Sequence, residues 1–194
     1  DTATLPRASQ IARHDSPPLP EILRGMLEYS TNLTAEVVGL AASGAADPRS
    51  SAEAMAEWLR ARDPQAHAEF HDHSGLSSRN RISPLTLARL LQGEGRTRDL
   101  ALLLKHIPLR DAKGKKIPSP VQIAAKTGTL NFVSNLAGYA EAPGGRRIAF
   151  VIFAADEARR AASEGLELPE GVVGWTRRAK AMQQALVEDF LTTA

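Results

Sequence analysis

The stretch Ala125-Lys126-Thr127-Gly128-Thr129-Leu130 opens the one region of the sequence that has the pattern of consecutive strands. Apolar runs follow it at about 133–142 and 146–155, and Ala142-Pro143-Gly144-Gly145 between them has the composition of a hairpin turn. A cationic side chain, two hydroxyl groups and a glycine in succession on a strand suit an extended anionic ligand, because they offer charge, donors and close approach. An ordinary strand with one surface lysine would contain the same Lys-Thr-Gly triplet, so this triplet alone does not establish a binding site.

The part of the chain before these strands has helical periodicity. An apolar stripe begins at Ile22 and is interrupted by Tyr29-Ser30-Thr31-Asn32, and a second stripe resumes at Leu33. We therefore expect a helix, a short turn and a second helix whose N-cap is Asn32. Three more helices are expected in this part: one to about residue 62 with a Ser50–Glu53 capping box, one from Ser83-Pro84, and one over about 98–105.

The second part of the chain is expected to be an antiparallel sheet with a closing helix. Its strands are predicted at about 121–129, 133–142 and 146–155, and an apolar stripe from Thr176 onward predicts the last helix. A helical part followed by an antiparallel part is an α+β arrangement. We expect an entering segment at about 1–20, a helical part at 21–115, and the strands with the C-terminal helix at 116–194.

Composition narrows the class of protein. The chain has 194 residues, of which 43% are hydrophobic and 24% charged, as in one ordinary globular domain. A net charge of +2 without a clustered basic patch argues against nucleic-acid binding, and the absence of cysteine excludes disulfides and thiolate metal sites. No apolar run approaches the roughly 18 residues that span a bilayer. The chain opens on a polar segment without Met, so we expect it to begin inside a longer protein.

Two triplets of the chain match a known set of motifs. Serine β-lactamases and penicillin-binding proteins combine Ser-x-x-Lys, Ser-x-Asn and Lys-Thr-Gly. Over about residues 8–155 the chain resembles the class C low-molecular-mass penicillin-binding proteins, the penicillin-binding-protein-4-type D-alanyl-D-alanine carboxypeptidases. The stretches that carry the resemblance are Ser16-Pro17-Pro18-Leu19, 26–36 with Ser30-Thr31-Asn32, Asp72-His73-Ser74-Gly75-Leu76-Ser77, Lys126-Thr127-Gly128-Thr129-Leu130 and Leu136-Ala137-Gly138-Tyr139.

The resemblance implies a fold and a role for each motif residue. The fold would be part of a serine β-lactamase/transpeptidase-like fold, and the protein would hydrolyse D-Ala-D-Ala in peptidoglycan stem peptides by serine acyl transfer. Ser30 would pass a proton to the leaving amine, Asn32 would hold a substrate amide, and Lys126 would set the local potential. Thr127 and Thr129, which flank Gly128, would bind the terminal carboxylate of the peptide or of a β-lactam. The N–H of Thr129 would form half of an oxyanion hole.

The resemblance also implies partners, a location and no cofactor. Stem peptides and β-lactams would bind, the location would be the periplasm or envelope of a bacterium, and neither a metal nor an organic cofactor would be needed. The Ser-x-x-Lys motif does not occur, because none of the six lysines has a serine three positions before it. We therefore expect the C-terminal part of an enzyme whose nucleophile lies in an N-terminal remainder, and we expect this chain alone to be inactive.

Alternatives remain at this stage. The chain could be a non-catalytic envelope binding module that kept the cleft and lost the nucleophile, or part of a serine β-lactamase. A second Ser-x-Asn triplet, Ser78-Arg79-Asn80, competes with Ser30 and Asn32, but it lies in a polar loop and not between two apolar helices. His71-Asp72-His73 could suggest a metal site; we expect Asp72 instead to organise the loop through bonds to the backbone. His73 stands where the family has Gly.

Overall fold

The computed structural model describes residues 12–111 and 113–193. The helices are α1 (Leu19–Tyr29), α2 (Asn32–Ser43), α3 (Pro48–Arg62), α4 (Pro84–Leu90), α5 (Glu157–Ala162) and α6 (Val172–Thr193). The strands are β1 (Ala68–Glu69), β2 (Arg81–Ile82), β3 (Lys105–His106), β4 (Gln122–Leu130), β5 (Val133–Glu141) and β6 (Arg147–Ala155). The entering segment expected at 1–20 lies outside the described residues as far as Ile11, and residues 12–18 form neither helix nor strand.

Helices α1 and α2 form the expected pair around a short turn, but the cap differs. Helix α2 begins at Asn32 itself, and Thr31 is its N-cap, with its carbonyl accepting from the Ala35 N–H at 3.1 Å. The difference arises because Ser30 takes a left-handed conformation that ends α1. Helix α2 then begins at Asn32, one residue before the start that an Asn32 cap would give. The prediction of Asn32 as the N-cap was therefore wrong, and the Asn32 side chain does not cap the helix.

The start of α3 also corrects a prediction. Asp47 is the N-cap, and its Oδ1 accepts the backbone N–H of Ser50 at 3.0 Å, while Pro48 is the first residue of the helix. The Ser50–Glu53 capping box is therefore wrong. Asp47 lies three residues before Ser50, and Asp followed by Pro is a favourable pair for the N-cap and the first helical position.

Four strands form one antiparallel sheet in the order β3-β4-β5-β6. The three long strands agree with the predicted ranges to within one residue at each end, and the predicted turn at 142–145 joins β5 to β6. Helix α6 packs on one face, where the core contains Ala125 and Val187, both 0% exposed. Helix α6 begins at Val172, four residues before the predicted Thr176.

The opposite face of the sheet carries α1 and α4, and Tyr139 anchors it. The buried Tyr139 hydroxyl donates to the carbonyl of Leu91 at 2.7 Å. The Leu91 carbonyl belongs to a π-helical turn, Leu91–Gly95, that extends α4. Gly95 is needed in this turn because a Cβ on it would lie 2.5 Å from the Tyr139 hydroxyl oxygen. The prediction of a helix at about 98–105 was wrong, because this segment contains only a short 3₁₀ turn, Leu100–Leu103, followed by β3.

Gly138 explains the glycine of the Ala-Gly-Tyr stretch. It lies opposite Ala125 in the sheet, and a Cβ on Gly138 would lie 2.2 Å from the carbonyl oxygen of Ala124. The two backbones can approach in this way only where one side chain is missing. This close approach holds β4, the strand with the Lys-Thr-Gly triplet, in register against β5.

Candidate active site

Ser30 is placed by the end of helix α1. Its backbone has φ 54°, ψ 49°, and its N–H donates to the carbonyl of Met26. A non-glycine residue in this left-handed region is strained by about 1 kcal/mol, which structures keep mainly where function needs the geometry. The side chain is exposed at the corner between α1 and α2, where its hydroxyl can meet a ligand.

Lys126 joins that corner to the sheet. In the β4–β5 ladder Lys126 lies opposite Ala137, so both project from the sheet face that α1 covers. The Lys126 ammonium donates to the Ser30 hydroxyl and, at 2.6 Å, to the carbonyl of Thr127. Since the Ser30 oxygen accepts from the ammonium, its own O–H remains available to donate to a third group. The two motifs, 96 positions apart in sequence, thus meet in the fold.

The Lys126 ammonium lies in a positive, partly buried environment. Burial lowers the pKa of Lys126 below its usual value, and the nearby charge of Lys105 on β3 lowers it further. No carboxylate in the described part of the chain forms an ion pair with Lys126. A half-buried cation without a counter-ion is an arrangement that favours an anionic ligand.

The outer edge of β4 carries backbone groups that the β4–β5 ladder does not use. The two-residue turn between β4 and β5 makes Leu130–Val133 a hydrogen-bonded pair, so alternation leaves Thr127 and Thr129 in non-hydrogen-bonded positions. Their N–H and C=O groups therefore point away from β5. Ile123 lies four residues before Thr127 and therefore has the same orientation in the strand. Its carbonyl accepts from the Ile107 N–H at 2.9 Å on the outer side, which confirms the direction. Strand β3 begins opposite Ala125 and runs away from Thr127, and among the described residues no strand pairs with the outer edge of β4 beside the two exposed threonines.

Gly128 leaves space on the Lys126 face. A Cβ built on Gly128 would meet Asn135 at 3.6 Å, an ordinary contact, so packing within the fold does not demand a glycine here. Glycine at this position is therefore explained by ligand approach better than by the sheet itself. Asn32 is exposed at the first turn of α2, and its side chain makes no hydrogen bond to any described residue.

The loop after β1 is organised by Asp72, as predicted. Its Oδ1 accepts from the N–H of Gly75 at 2.8 Å, and its Oδ2 accepts from Ser77 N–H at 2.6 Å. Asn80 belongs to the same network, because its amide donates to Asp72 at 2.8 Å and its carbonyl oxygen accepts from His71 N–H at 2.7 Å. The second Ser-x-Asn triplet is thus part of the loop's own framework.

The two histidines have separate partners. The ring of His71 contacts Glu69 at 2.8 Å, and the ring of His73 contacts the buried hydroxyl of Ser51 at 2.7 Å. Among residues 12–111 and 113–193, no group of three His, Cys, Asp or Glu side chains is arranged to hold a metal ion. His73 also fits against Gly39 of α2, where a Cβ would lie 2.3 Å from the ring.

Glu36 of α2 binds the loop after β1, a contact that the sequence reasoning missed. Its carboxylate accepts from the N–H of Ser74 at 2.8 Å and from that of His73 at 3.1 Å, which ties the loop to α2. Burial would raise the pKa of Glu36, but these hydrogen bonds outweigh it, so the pKa lies below its usual value. Glu36 is one helical turn after Asn32, so the two side chains lie on the same face of α2, but this spacing does not reveal the contact with the loop.

One protein family matches most of this sequence. The model of the D-Ala-D-Ala carboxypeptidase 3 (S13) family matches residues 2–179. The chain is 29% identical over 157 residues to D-alanyl-D-alanine carboxypeptidase DacB of Haemophilus influenzae. The matched stretch covers 74% of this chain and 33% of that protein.

Solved structures share the fold. Penicillin-binding protein 4 of Haemophilus influenzae superposes with a TM-score of 0.68 at 23% identity, covering 94% of this chain and 43% of that one. A predatory endopeptidase of Bdellovibrio bacteriovorus, solved with an immunity protein, gives 0.62 at 18% identity, covering 90% and 43%. These matches confirm the transpeptidase-like α+β fold, with helices first, then strands, then the closing helix.

The matches also fix how much of the relatives this chain represents. It spans about a third of the length of the curated relative and under half of the two solved structures. No helix among the described residues is both long and apolar enough to cross a bilayer. The family model extends over nearly the whole sequence, including both motifs that meet at the Ser30–Lys126 contact, and on that ground the chain belongs to the D-Ala-D-Ala carboxypeptidase 3 (S13) family.

Proposed function

We propose that this chain is the C-terminal part of a serine D-Ala-D-Ala carboxypeptidase acting on peptidoglycan stem peptides. The observation that carries the proposal is the contact between Lys126 and Ser30 beside the open edge of β4. A peptide that added a strand to this edge would place its backbone against Thr127 and Thr129 and its terminal carboxylate near the Lys126 ammonium. Opening of D-Ala cross-links is a second activity of the same site.

The nucleophile comes from the N-terminal remainder of the same protein. Its serine oxygen attacks the carbonyl carbon of the penultimate D-Ala, and the outward N–H of Thr129 donates to the oxyanion that forms. The C–N bond then breaks, and Ser30 passes a proton to the leaving amine, which departs as D-Ala. Asn32 holds an amide of the stem peptide, and water later hydrolyses the serine ester.

The remaining parts of the proposal concern context. Within this chain we assign 1–20 to the entering segment, 21–115 to the helical part and 116–194 to the sheet with the C-terminal helix. The complete protein, hereafter the parent protein, works in the bacterial envelope, and β-lactams acylate the same serine. Without a Ser-x-x-Lys motif, this chain alone forms no acyl-enzyme.

Labelling with a fluorescent penicillin tests the proposal. We expect the parent protein to carry a label that survives denaturation, and the 194-residue chain to carry none. Replacing the serine of the upstream Ser-x-x-Lys motif with Ala should abolish labelling. If the chain alone is labelled, it holds an unrecognised nucleophile and the site is misassigned. If the parent protein is not labelled either, a non-catalytic envelope binding module replaces the enzyme.

A further inference from the structure

The two-residue turn between β4 and β5 has a backbone that its sequence does not favour. Asn131 and Phe132 form the turn, and Leu130 pairs with Val133 across it. Phe132 has φ 55°, in the left-handed region that glycine and asparagine adopt with the least strain. A bulky side chain there is a rare outlier, and the asparagine of this turn lies one position too early to relieve it. Contacts made by Phe132 itself therefore have to offset the strain.

Three elements of the fold hold Phe132 in place. The residue is 3% exposed, and its ring meets that of Trp175 on α6 edge to face, with 6.0 Å between the centroids and 74° between the planes. The guanidinium carbon of Arg159 on α5 lies 5.8 Å from the centroid of the Phe132 ring. The Phe132 carbonyl accepts from the Asp156 N–H at 2.9 Å, directly after β6. Burial, the aromatic pair and the cation–π contact together stabilise the left-handed backbone and fix the turn.

The end of β4 next to this turn is paired on one side only. Strand β3 pairs with Ala124 and Ala125, and within residues 12–111 and 113–193 no strand pairs with the outer edge of residues 126–130. Strand β5 alone therefore holds the segment that carries the outward N–H of Thr129. The twist between neighbouring strands varies over roughly 10–35°. The direction of the Thr129 N–H consequently depends on how the turn is anchored.

Helix α6 supports the same place from the neighbouring strand. Ser134 is the β5 residue opposite Thr129, and Ser134 and Gln183 are both buried. The Gln183 Nε2 donates to the Ser134 carbonyl at 2.7 Å, and the Ser134 hydroxyl donates to Gln183 Oε1 at 3.4 Å. Trp175 lies on the same helix, so α6 fixes both the strand that faces Thr129 and the turn that follows it.

We propose that Phe132 is a positioning residue for the oxyanion hole and holds the Thr129 N–H where the oxyanion of the substrate forms. This inference rests on the proposed function and deepens it, because it identifies what orients the Thr129 donor. The Phe132 ring is buried against α5 and α6, so it acts through the backbone of β4. An oxyanion donor contributes in the transition state, so a misaligned Thr129 N–H lowers kcat and kcat/KM together and leaves KM unchanged.

Release of D-Ala from an acetylated tripeptide ending in D-Ala-D-Ala tests the proposal on the parent protein. Phe132→Gly removes the ring and also relieves the left-handed backbone. It should lower kcat and kcat/KM about tenfold and keep KM within about twofold of the wild-type value. This loss is smaller than the roughly 10²–10³-fold loss on removing an oxyanion donor, because the Thr129 N–H is displaced and not deleted.

Variants of the partner ring keep the test decisive if Phe132→Gly does not fold. Trp175→Ala should lower kcat by roughly three- to tenfold at constant KM. Trp175→Phe keeps an edge-to-face contact and should restore kcat to within about twofold. Phe190→Ala is the matched control, because Phe190 is an aromatic residue of α6 about four helical turns after Trp175 and packs on the core around Val187. It should destabilise the fold and keep kcat.

Each outcome supports or overturns the proposal. A loss of kcat at constant KM in Phe132→Gly and Trp175→Ala, restored in Trp175→Phe and absent in Phe190→Ala, supports it. Unchanged kcat in folded Phe132→Gly or Trp175→Ala, a change confined to KM, or an equal loss in Phe190→Ala overturns the positioning role while the proposed function stands. If the wild-type parent protein releases no D-Ala, the proposed function fails and the positioning role falls with it. Urea unfolding identifies the variants that are folded under the assay conditions.

Discussion

The chain contains two Ser-x-Asn triplets, and the structure uses them in opposite ways. In the first, Ser30 is strained and exposed beside Lys126, and the side chain of Asn32 makes no hydrogen bond to any described residue. In the second, both ends of the Asn80 amide are bonded within the loop. The same residue types at the same spacing thus leave polar groups available to a ligand in one place and bind the fold itself in the other.

Local context accounts for the difference. The first triplet lies where one helix ends and another begins, and although helix ends leave backbone groups unpaired, the Ser30 and Asn32 side chains bond to none of them in the described structure. The second lies in a loop whose backbone N–H groups lack ladder partners, and Asp72 and Asn80 supply the missing acceptors. Available donors and acceptors, more than the motif itself, favour the first triplet as the candidate for function.

The largest expected effect separates the two serines by activity. In the parent protein, Ser30→Ala should lower kcat/KM for D-Ala release by about 10²-fold or more, because the proton relay is lost. Ser78→Ala should leave kcat/KM within about twofold, since in the described structure only the backbone carbonyl of Ser78 forms a hydrogen bond, as an acceptor for Arg81. Equal losses for both variants would contradict the assignment of Ser30.

A third variant isolates the strain at Ser30. Ser30→Gly removes the hydroxyl and also relieves the left-handed backbone, so it should raise the free energy of unfolding above that of Ser30→Ala by up to about 1 kcal/mol. Activity should stay as low as in Ser30→Ala. A Ser30→Gly variant more stable than Ser30→Ala would show that the left-handed backbone costs the fold free energy, and equal stability of the two variants would contradict the strain.

The two asparagines should differ in stability. Asn80→Ala leaves the His71 N–H unpaired and removes a donor from Asp72, so the free energy of unfolding should fall by about 1–3 kcal/mol. Asn32→Ala should change it by less than about 0.5 kcal/mol, because the native side chain bonds to nothing in the described structure. Urea denaturation of the parent protein measures both. A costly Asn32→Ala would show that Asn32 has a partner in the fold.

The sequence predicts the parts of this fold that depend on near neighbours. The glycine turn between β5 and β6, the stripe on α6 and the Asp72 loop all follow from spacings of a few residues. The remaining features depend on contacts between distant residues. The π-helical turn forms because Tyr139 reaches Leu91, and His73 is tolerated because Gly39 lies opposite its ring. Neither partner can be identified from one sequence.

The His73–Gly39 fit gives a double-mutant test of how the second triplet's loop is held on α2. Gly39→Ala places a Cβ against the ring of His73 and should cost about 1–3 kcal/mol of unfolding free energy. In a His73→Ala background the same change should cost at least about 1 kcal/mol less. Additive effects would mean that the ring moves aside freely. Gly25→Ala on α1, where a Cβ meets nothing within 4 Å, is the matched control and should not destabilise.

The smallest expected effect is on the pH dependence of the free energy of unfolding. It should depend on Lys126, which contacts the first triplet, and not on the second triplet. Because burial and Lys105 lower the pKa of Lys126, the unfolded chain binds more protons than the folded one between that lowered pKa and 10.5. The free energy of unfolding should therefore gain a rising contribution with pH across this window, and Lys126→Met should remove it. Lys105→Gln should narrow the window by removing the repulsion.

Ser78→Ala is the control for this titration, because no contact links Ser78 to Lys126 in the described structure, and it should leave the rise intact. Urea unfolding at a series of alkaline pH values measures the slope. A rise that persists unchanged in Lys126→Met would place the titrating group elsewhere. The Ser30–Lys126 contact would then lose its electrostatic argument, and the first triplet would be distinguished from the second by geometry alone.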